Sequence, residues 1–223
     1  MIPIFDGTLK FFIKNLKMVK SLEQFNMVIT GTGGQGLITL LKIISEAALA
    51  EGYDIRTSEL HGLSQRGGSI EVHIRFGKKI YSPLVMRGEA DLVLGLEMQE
   101  ILNGIYFASP KTKFLINQFI IPISLKKPLS ENEILNQLKK ISKPRNRASS
   151  LRGENITIIP ADKICQEKLQ NSVVSGIYLI SFATFKNLIP LKPESIQKAI
   201  KKIIPEKFLE LNLKAFNLAK SRS

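Results

Sequence analysis

Phe25–Thr30 (FNMVIT) is a short apolar run containing Val and Ile, and Gly31-Thr-Gly-Gly-Gln-Gly36 follows it at once. From Leu37 to Glu51 the apolar positions are Leu37, Leu40, Leu41, Ile44, Ala47 and Ala48. That spacing predicts a helix, and Gly52 stands just past its end as a stop signal. Asp54–Ser58 reads as a second strand. Strand, glycine turn and helix make a Rossmann-like opening βαβ unit.

Ser69–Phe76 alternates, with Ile70, Val72, Ile74 and Phe76 on one face and Ser69, Glu71, His73 and Arg75 on the other. The alternation predicts a half-buried strand, turning through Gly77-Lys78 to pair antiparallel with Lys79–Pro83. On this reading His73 is a solvated surface histidine. Asp91–Leu96 reads as a buried strand, Glu97–Phe107 as a helix and Lys113–Asn117 as a strand. Gln118–Leu125 is strand or extended chain, and Glu131–Ile141 a helix. Ser142–Gly153 is a polar basic loop, and Asn155–Ile159 a strand. Helices near 161–169, 172–188, 193–203 and 206–220 close the chain. Alternating strands and helices predict an α/β three-layer sandwich with a mostly parallel sheet and a helical C-terminal end. Right-handed crossovers bring the glycine turn to the carboxyl edge of the sheet, where ligands bind in such folds.

The 223 residues carry a formal net charge of +13, distributed unevenly. Residues 1–110 hold 11 basic and 11 acidic residues; residues 111–223 hold 21 and 8. A hydrophobic content of 44% with 23% charged residues excludes disorder for most of the chain. The single cysteine, Cys165, excludes a disulfide framework and any all-cysteine cluster, and reads as a core thiol. With only two histidines no metal site is expected. The uncharged stretch Gln170–Phe185 falls short of the ~20 apolar residues that cross a bilayer. A soluble cytoplasmic protein, with no membrane partner, is the expectation. Met1–Gln24 stands apart as an N-terminal extension: an appended helix, a disordered leader, or untranslated sequence upstream of Met18 or Met27. The latter two are favoured. Residues 25–223 read as one domain.

Two loops hold the candidate chemistry. Gly31, Gly33 and Gly36 satisfy G-x-G-x-x-G between a strand and a helix, with Gly34 and Gln35 inside the turn. Such a turn lets backbone approach a ligand closely, and free amides at the helix start attract an anion. Glu59 stands about where a dinucleotide site places its ribose-binding acid, so a self-contained NAD(P)-dependent oxidoreductase is one alternative. The second loop is Ser58–Ser69 (SELHGLSQRGGS), in which His61, Gln65, Arg66, Gly67 and Gly68 are the candidates. It should lie beside the glycine turn if the first two strands are neighbours. No residue is a candidate covalent catalyst. A nucleic-acid-binding module is a further alternative prompted by the charge. Dispersed basic residues, few aromatics and the lack of Trp weigh against it.

Together these motifs resemble the gamma-type subunits of 2-oxoacid:ferredoxin oxidoreductases, and among them most closely the beta subunit of indolepyruvate ferredoxin oxidoreductase. The family's G-x-G-G-Q-G turn matches Gly31–Gly36, its H-G-x-x-Q-R-G-G segment matches His61–Gly68, and its G-E-A-D-L strand start matches Gly88–Leu92. The resemblance continues more loosely through NSVVSGIYLISFA to the C-terminal helices, over roughly residues 25–220. It implies oxidative decarboxylation of a 2-oxoacid with coenzyme A to acyl-CoA, CO2 and reduced ferredoxin, in a heteromeric complex. It also implies that thiamine diphosphate, Mg2+ and iron–sulfur clusters belong to a partner subunit. This chain, which lacks a Gly-Asp-Gly triplet, would bind no cofactor alone and hold no complete active site. Gly31–Gly36 and His61–Gly68 would then line the interface with the thiamine-binding subunit near the coenzyme A entrance, with Arg66 first and the Gly33–Gly36 amides second as anion contacts. The excess lysines of the second half suit acidic partners such as ferredoxin or the companion subunit. An Ile- and Lys-rich genome would explain them equally well.

Overall fold

The computed structural model describes residues 22–61, 68–121, 128–141 and 155–221. Six strands, β1 (Gln24–Thr32), β2 (Asp54–His61), β3 (Ser69–Gly77), β4 (Ala90–Gly95), β5 (Ala108–Asn117) and β6 (Ile156–Ile159), form one sheet in the order β2-β3-β1-β4-β5-β6. β1, β4, β5 and β6 are parallel neighbours, while β3 runs antiparallel to both β1 and β2. Five strands therefore point one way and β3 alone is reversed.

This order corrects two expectations. β3 pairs with β1 and β2 rather than with Lys79–Pro83, which forms no strand. β1 and β2 are accordingly not neighbours. The apolar face of β3 explains the difference. Val72, Ile74 and Phe76 are fully buried, which a central strand achieves and an edge hairpin does not.

Alternation along the central strands feeds two cores. Met27 and Ile29, Leu92 and Leu94, and Leu115 face one side; Val28, Val93, Phe114 and Ile116 face the other. The first side carries α1 (Leu37–Ala50), α3 (Ala161–Leu169), α4 (Ser175–Phe185), α5 (Pro193–Ile203) and α6 (Glu206–Lys220). The second carries α2 (Glu131–Ile141) and a 3-10 segment, Glu100–Phe107, where a longer helix was expected. The result is the expected three layers. The uncharged Gln170–Phe185 stretch becomes a short 3-10 turn, Ser172–Val174, followed by α4. α4 is buried continuously from Gly176 to Thr184. Inside it, the Ser181 and Thr184 hydroxyls donate to the carbonyls of Ile177 and Ile180, at 2.6 and 2.8 Å, so neither is an orphaned buried group. Among the described residues no helix is long and apolar enough to cross a membrane.

The face of β3 expected to be solvated is covered. Segment 78–88 crosses it, and His73 is 1% exposed. The Val85 amide donates to His73 Nδ1 at 3.0 Å, Nε2 lies 2.9 Å from Glu71 Oε1, and the ring meets Phe107 edge-on. Because Nδ1 accepts, Nε2 carries the hydrogen toward Glu71. Arg75, two residues on, is held by Asn26 and by the carbonyls of Ser82 and Leu84.

Candidate functional site

The chain leaves β1 toward β2 and β3 on one side and continues from β4 toward β5 and β6 on the other. The helical segments that follow β1 and β4 lie on opposite faces. The carboxyl ends of β1 and β4 therefore form a topological switch point, the place where doubly wound sheets open a crevice for ligands. The Gly31–Gly36 turn stands on one wall and Leu96–Glu100 on the other.

The turn is shaped by its own residues. Gly34 and Gly36 have φ of 99° and 78°, in the left-handed region that favours glycine. Gly36 caps α1 without any side-chain hydrogen bond, and among the described residues no side chain takes the first-turn amides. Gly31 is needed for close approach. A β-carbon there would stand 2.7 Å from Gln35 Oε1 and 3.3 Å from Leu96 Cβ. Gln35 braces the crevice: its Oε1 accepts from the Thr32 amide at 2.8 Å, and its Nε2 reaches the Leu96 carbonyl at 3.4 Å. The Leu96 amide closes the same gap by donating to the Thr30 carbonyl at 2.9 Å.

The second loop meets the first although β3 lies between their strands. β2 ends at His61 and β3 begins at Ser69, both at this edge, and the Gly33 amide donates to the Gly68 carbonyl at 3.0 Å. Reversing β3 makes β2 and β3 antiparallel neighbours, so the end of β2 and the start of β3 stand at the same carboxyl edge. Gln65, Arg66 and Gly67 fall outside the described residues. Glu59 faces Val72 in β3, so one whole strand separates it from β1. A dinucleotide fold sets its ribose-binding acid on the strand beside the glycine turn, and this sheet order does not favour that alternative.

The third motif serves another place. Gly88–Leu92 opens β4 at the amino edge, where Asp91 Oδ2 accepts the Asn26 amide at 2.8 Å and the Glu89 carbonyl accepts from Asn26 Nδ2 at 2.9 Å. It fastens β4 to β1 at the end opposite the crevice. Burial raises the Asp91 carboxyl above the ordinary carboxylate range.

Several residues at the crevice belong to no motif of the sequence. Glu97, 1% exposed, receives the amides of Gln99, Glu100 and Ile121 at 2.6, 2.8 and 3.1 Å. Three amide donors compensate its burial. Glu100 Oε2 accepts from Ser69 Oγ at 2.5 Å and from Asn103 Nδ2 at 2.9 Å, tying the 3-10 segment to the start of β3. Burial pushes the Glu100 carboxyl up. Asn117, at the end of β5, donates to the Leu96 carbonyl at 3.0 Å and to Asp162, and its Oδ1 accepts the Ala161 amide at 3.0 Å. The available signal was positional: Glu97, Glu100 and Asn117 all stand at or just past the carboxyl ends of apolar strands. Cys165 is buried in α3 beside Asp162, and burial pushes its thiol up to about 12. Among the described residues no three His, Cys, Asp or Glu side chains gather as metal ligands.

This arrangement can receive an anion on backbone amides and can present the glycine turn, tied to Gly68, to another molecule. The same fold is found in the gamma subunit of a keto/oxoacid ferredoxin oxidoreductase from Geobacter sulfurreducens. That structure superposes with a TM-score of 0.61 at 20% identity, covering 89% of this chain and 97% of that one. Residues 26–221 match the family described as pyruvate ferredoxin/flavodoxin oxidoreductase, and the chain belongs to that family. Among its relatives is indolepyruvate oxidoreductase subunit IorB of Thermococcus kodakarensis, 33% identical over 88% of this chain and 95% of that protein. A second is the pyruvate/ketoisovalerate oxidoreductases common subunit gamma of Pyrococcus furiosus, 29% identical over 83% and 89%.

Proposed function

We propose that this chain is the non-redox subunit of a heteromeric, cytoplasmic indolepyruvate-type ferredoxin oxidoreductase. The complex would convert an arylpyruvate-type 2-oxoacid and coenzyme A to acyl-CoA, CO2 and reduced ferredoxin. The observation that carries this reading is the near full-length match to IorB, at 33% identity, together with the glycine turn at the switch point. In the complex, thiamine diphosphate with Mg2+ and cysteine-ligated clusters on the companion subunit supply bond cleavage and electron exit. This chain's own residues do not fit a cluster: its single thiol is buried and held far from the thiolate form.

The role of this chain is positioning. Gln35 and the Gly33–Gly68 hydrogen bond hold the two loops as one surface. The Gly33 amide is taken by Gly68 and the Gln35 amide by Thr32, so the amides of Gly34, Gly36 and the first turn of α1 receive an anionic group of the acyl acceptor, and Arg66 supplies a charged contact from the neighbouring loop. His61 and Gln65 belong to the same proposed interface.

The test is reconstitution with the natural companion subunit. 2-Oxoacid-dependent ferredoxin reduction should require both chains, and should be faster with indolepyruvate than with pyruvate or branched-chain 2-oxoacids. Undiminished activity without this chain refutes the reading, and a preference for pyruvate corrects its substrate. Arg66→Ala should raise the KM for coenzyme A or 2-oxoacid with assembly intact; unchanged values remove Arg66 from the site.

A further inference from the structure

A groove of about 530 Å3 runs from the glycine turn across the helical layer. Gln35, Gly36, Leu40, Ile204 and Leu211 line it along with two exposed apolar side chains. These are Val173, 86% exposed, and Phe208, 50% exposed. Two large apolar groups left in water on the walls of one concave surface mark an interaction site more than chance placement does.

Two lysines stand at the groove. Lys42 lines the groove, and Lys207 Nζ stands 4.7 Å from the centre of the Phe208 ring. No carboxylate lines the groove among the described residues. The nearby Glu46, one turn beyond Lys42 on α1, is taken by Lys202 at 2.6 Å. A second copy of this chain would bring the same cations and a net charge of +13 against this groove. Like charges facing each other oppose that pairing.

We propose that this groove docks an acidic amphipathic segment of the companion subunit, with aliphatic or aromatic side chains entering between Val173 and Phe208 and carboxylates meeting Lys42 and Lys207. The inference rests on the heteromeric reading above and names the chemistry of its contact. Because Gln35 and Gly36 line the groove, a segment seated there touches the glycine turn beside the switch-point crevice. Assembly and the geometry of the anion-binding turn are then coupled through the first turn of α1.

The full-length chain and its natural companion are titrated by analytical ultracentrifugation at low and high salt. Val173→Asp and Phe208→Ala, whose exposed positions leave the folded core untouched, are each expected to weaken association by about tenfold or more. Lys42→Glu with Lys207→Glu should also weaken it, and should flatten its dependence on salt. Unchanged melting temperatures separate these effects from misfolding. Wild-type affinity retained within about twofold in all three variants overturns the proposal. So does a homodimer of this chain that Val173→Asp dissolves, or an affinity that rises when residues 1–21 are removed, since each gives the groove a different occupant. Failure of the wild-type chain to bind the companion at all would instead refute the heteromeric reading itself.

Discussion

Replacing Gly31 with Ala should damage the glycine turn through Gln35 rather than through the backbone. Gly31 has no positive φ, so alanine suits its conformation. The added carbon meets Gln35 Oε1 at 2.7 Å, and the amide must swing away from the Thr32 N–H that it accepts at 2.8 Å. Thr32 is 8% exposed, so its amide loses an acceptor with little water to replace it. Leaving such a donor unsatisfied costs about 1–3 kcal/mol, while Gly→Ala returns about 0.4–1 kcal/mol by restricting the unfolded chain. Taking the middle of each range, the net loss for Gly31→Ala is about 1.3 kcal/mol, or a fall in Tm of about 3–5 °C for a chain of this size. Gln35→Ala loses the same acceptor and should cost about 1–3 kcal/mol. In the double variant the clash has no partner, so the pair should cost no more than Gln35→Ala alone. A double-mutant cycle by urea denaturation reads this as a coupling of about 1–2 kcal/mol. Additive costs, agreeing within about 0.5 kcal/mol, would refute the account of Gln35 as the brace that Gly31 makes room for.

Three further outcomes follow from the buried polar groups. His73→Leu strands the Val85 amide and the Glu71 carboxylate together, and should cost about 2–4 kcal/mol in chemical denaturation; a loss below about 0.5 kcal/mol would show that segment 78–88 does not depend on the imidazole. Glu97→Gln replaces a carboxylate that serves three amides with a group that must turn a donor toward at least one of them. Hydrogen exchange over residues 97–107 should accelerate at least tenfold, on the order of 1.4 kcal/mol of local opening, and unchanged exchange counts against this anchor. Glu100→Gln tests linkage. Burial raises the native carboxyl above its unfolded value, so the folded state binds the proton more tightly and Glu100 contributes more stability as pH falls. That contribution is lost as pH rises through the folded-state value. The stability of wild type relative to Glu100→Gln should thus be greater near pH 4.5 than near pH 7.5, and a difference that is flat or reversed contradicts the assignment.

What the sequence revealed was local. The helices Glu131–Ile141, Ala161–Leu169, Pro193–Ile203 and Glu206–Lys220 were legible because their apolar residues recur at helical spacing between Pro, Ser and Asn punctuation. The glycine turn was legible for the same reason, as a break between two periods. His73 was misread because alternation tells which face a residue occupies, not what crosses that face. Segment 78–88 covers it without any period of its own. The place of β3 between β1 and β2 depends on pairing such as Ile29 with Val72, across more than forty residues of chain. No local pattern records such a partner. Gln35 reads in the sequence as part of a ligand or interface loop; its hydrogen bonds to Thr32 and Leu96 add a bracing role that no local pattern records. Glu97 and Asn117 were passed over because a single polar residue after a strand looks like the start of any loop.

The reversed strand also sets the order in which the chain can assemble during synthesis. β1 is finished at Thr32, yet both strands that flank it, β3 and β4, lie at residues 69–95. At about 5–20 residues per second, the apolar stretch Met27–Ile29 waits a few seconds for its first partner. β2 and β3, in contrast, pair with each other as soon as Gly77 has emerged, and they dock onto β1 as a preformed hairpin. A nascent chain stalled before residue 69 should therefore hold an unsatisfied β1 that recruits chaperones. One stalled after residue 77 can cover that strand on one side.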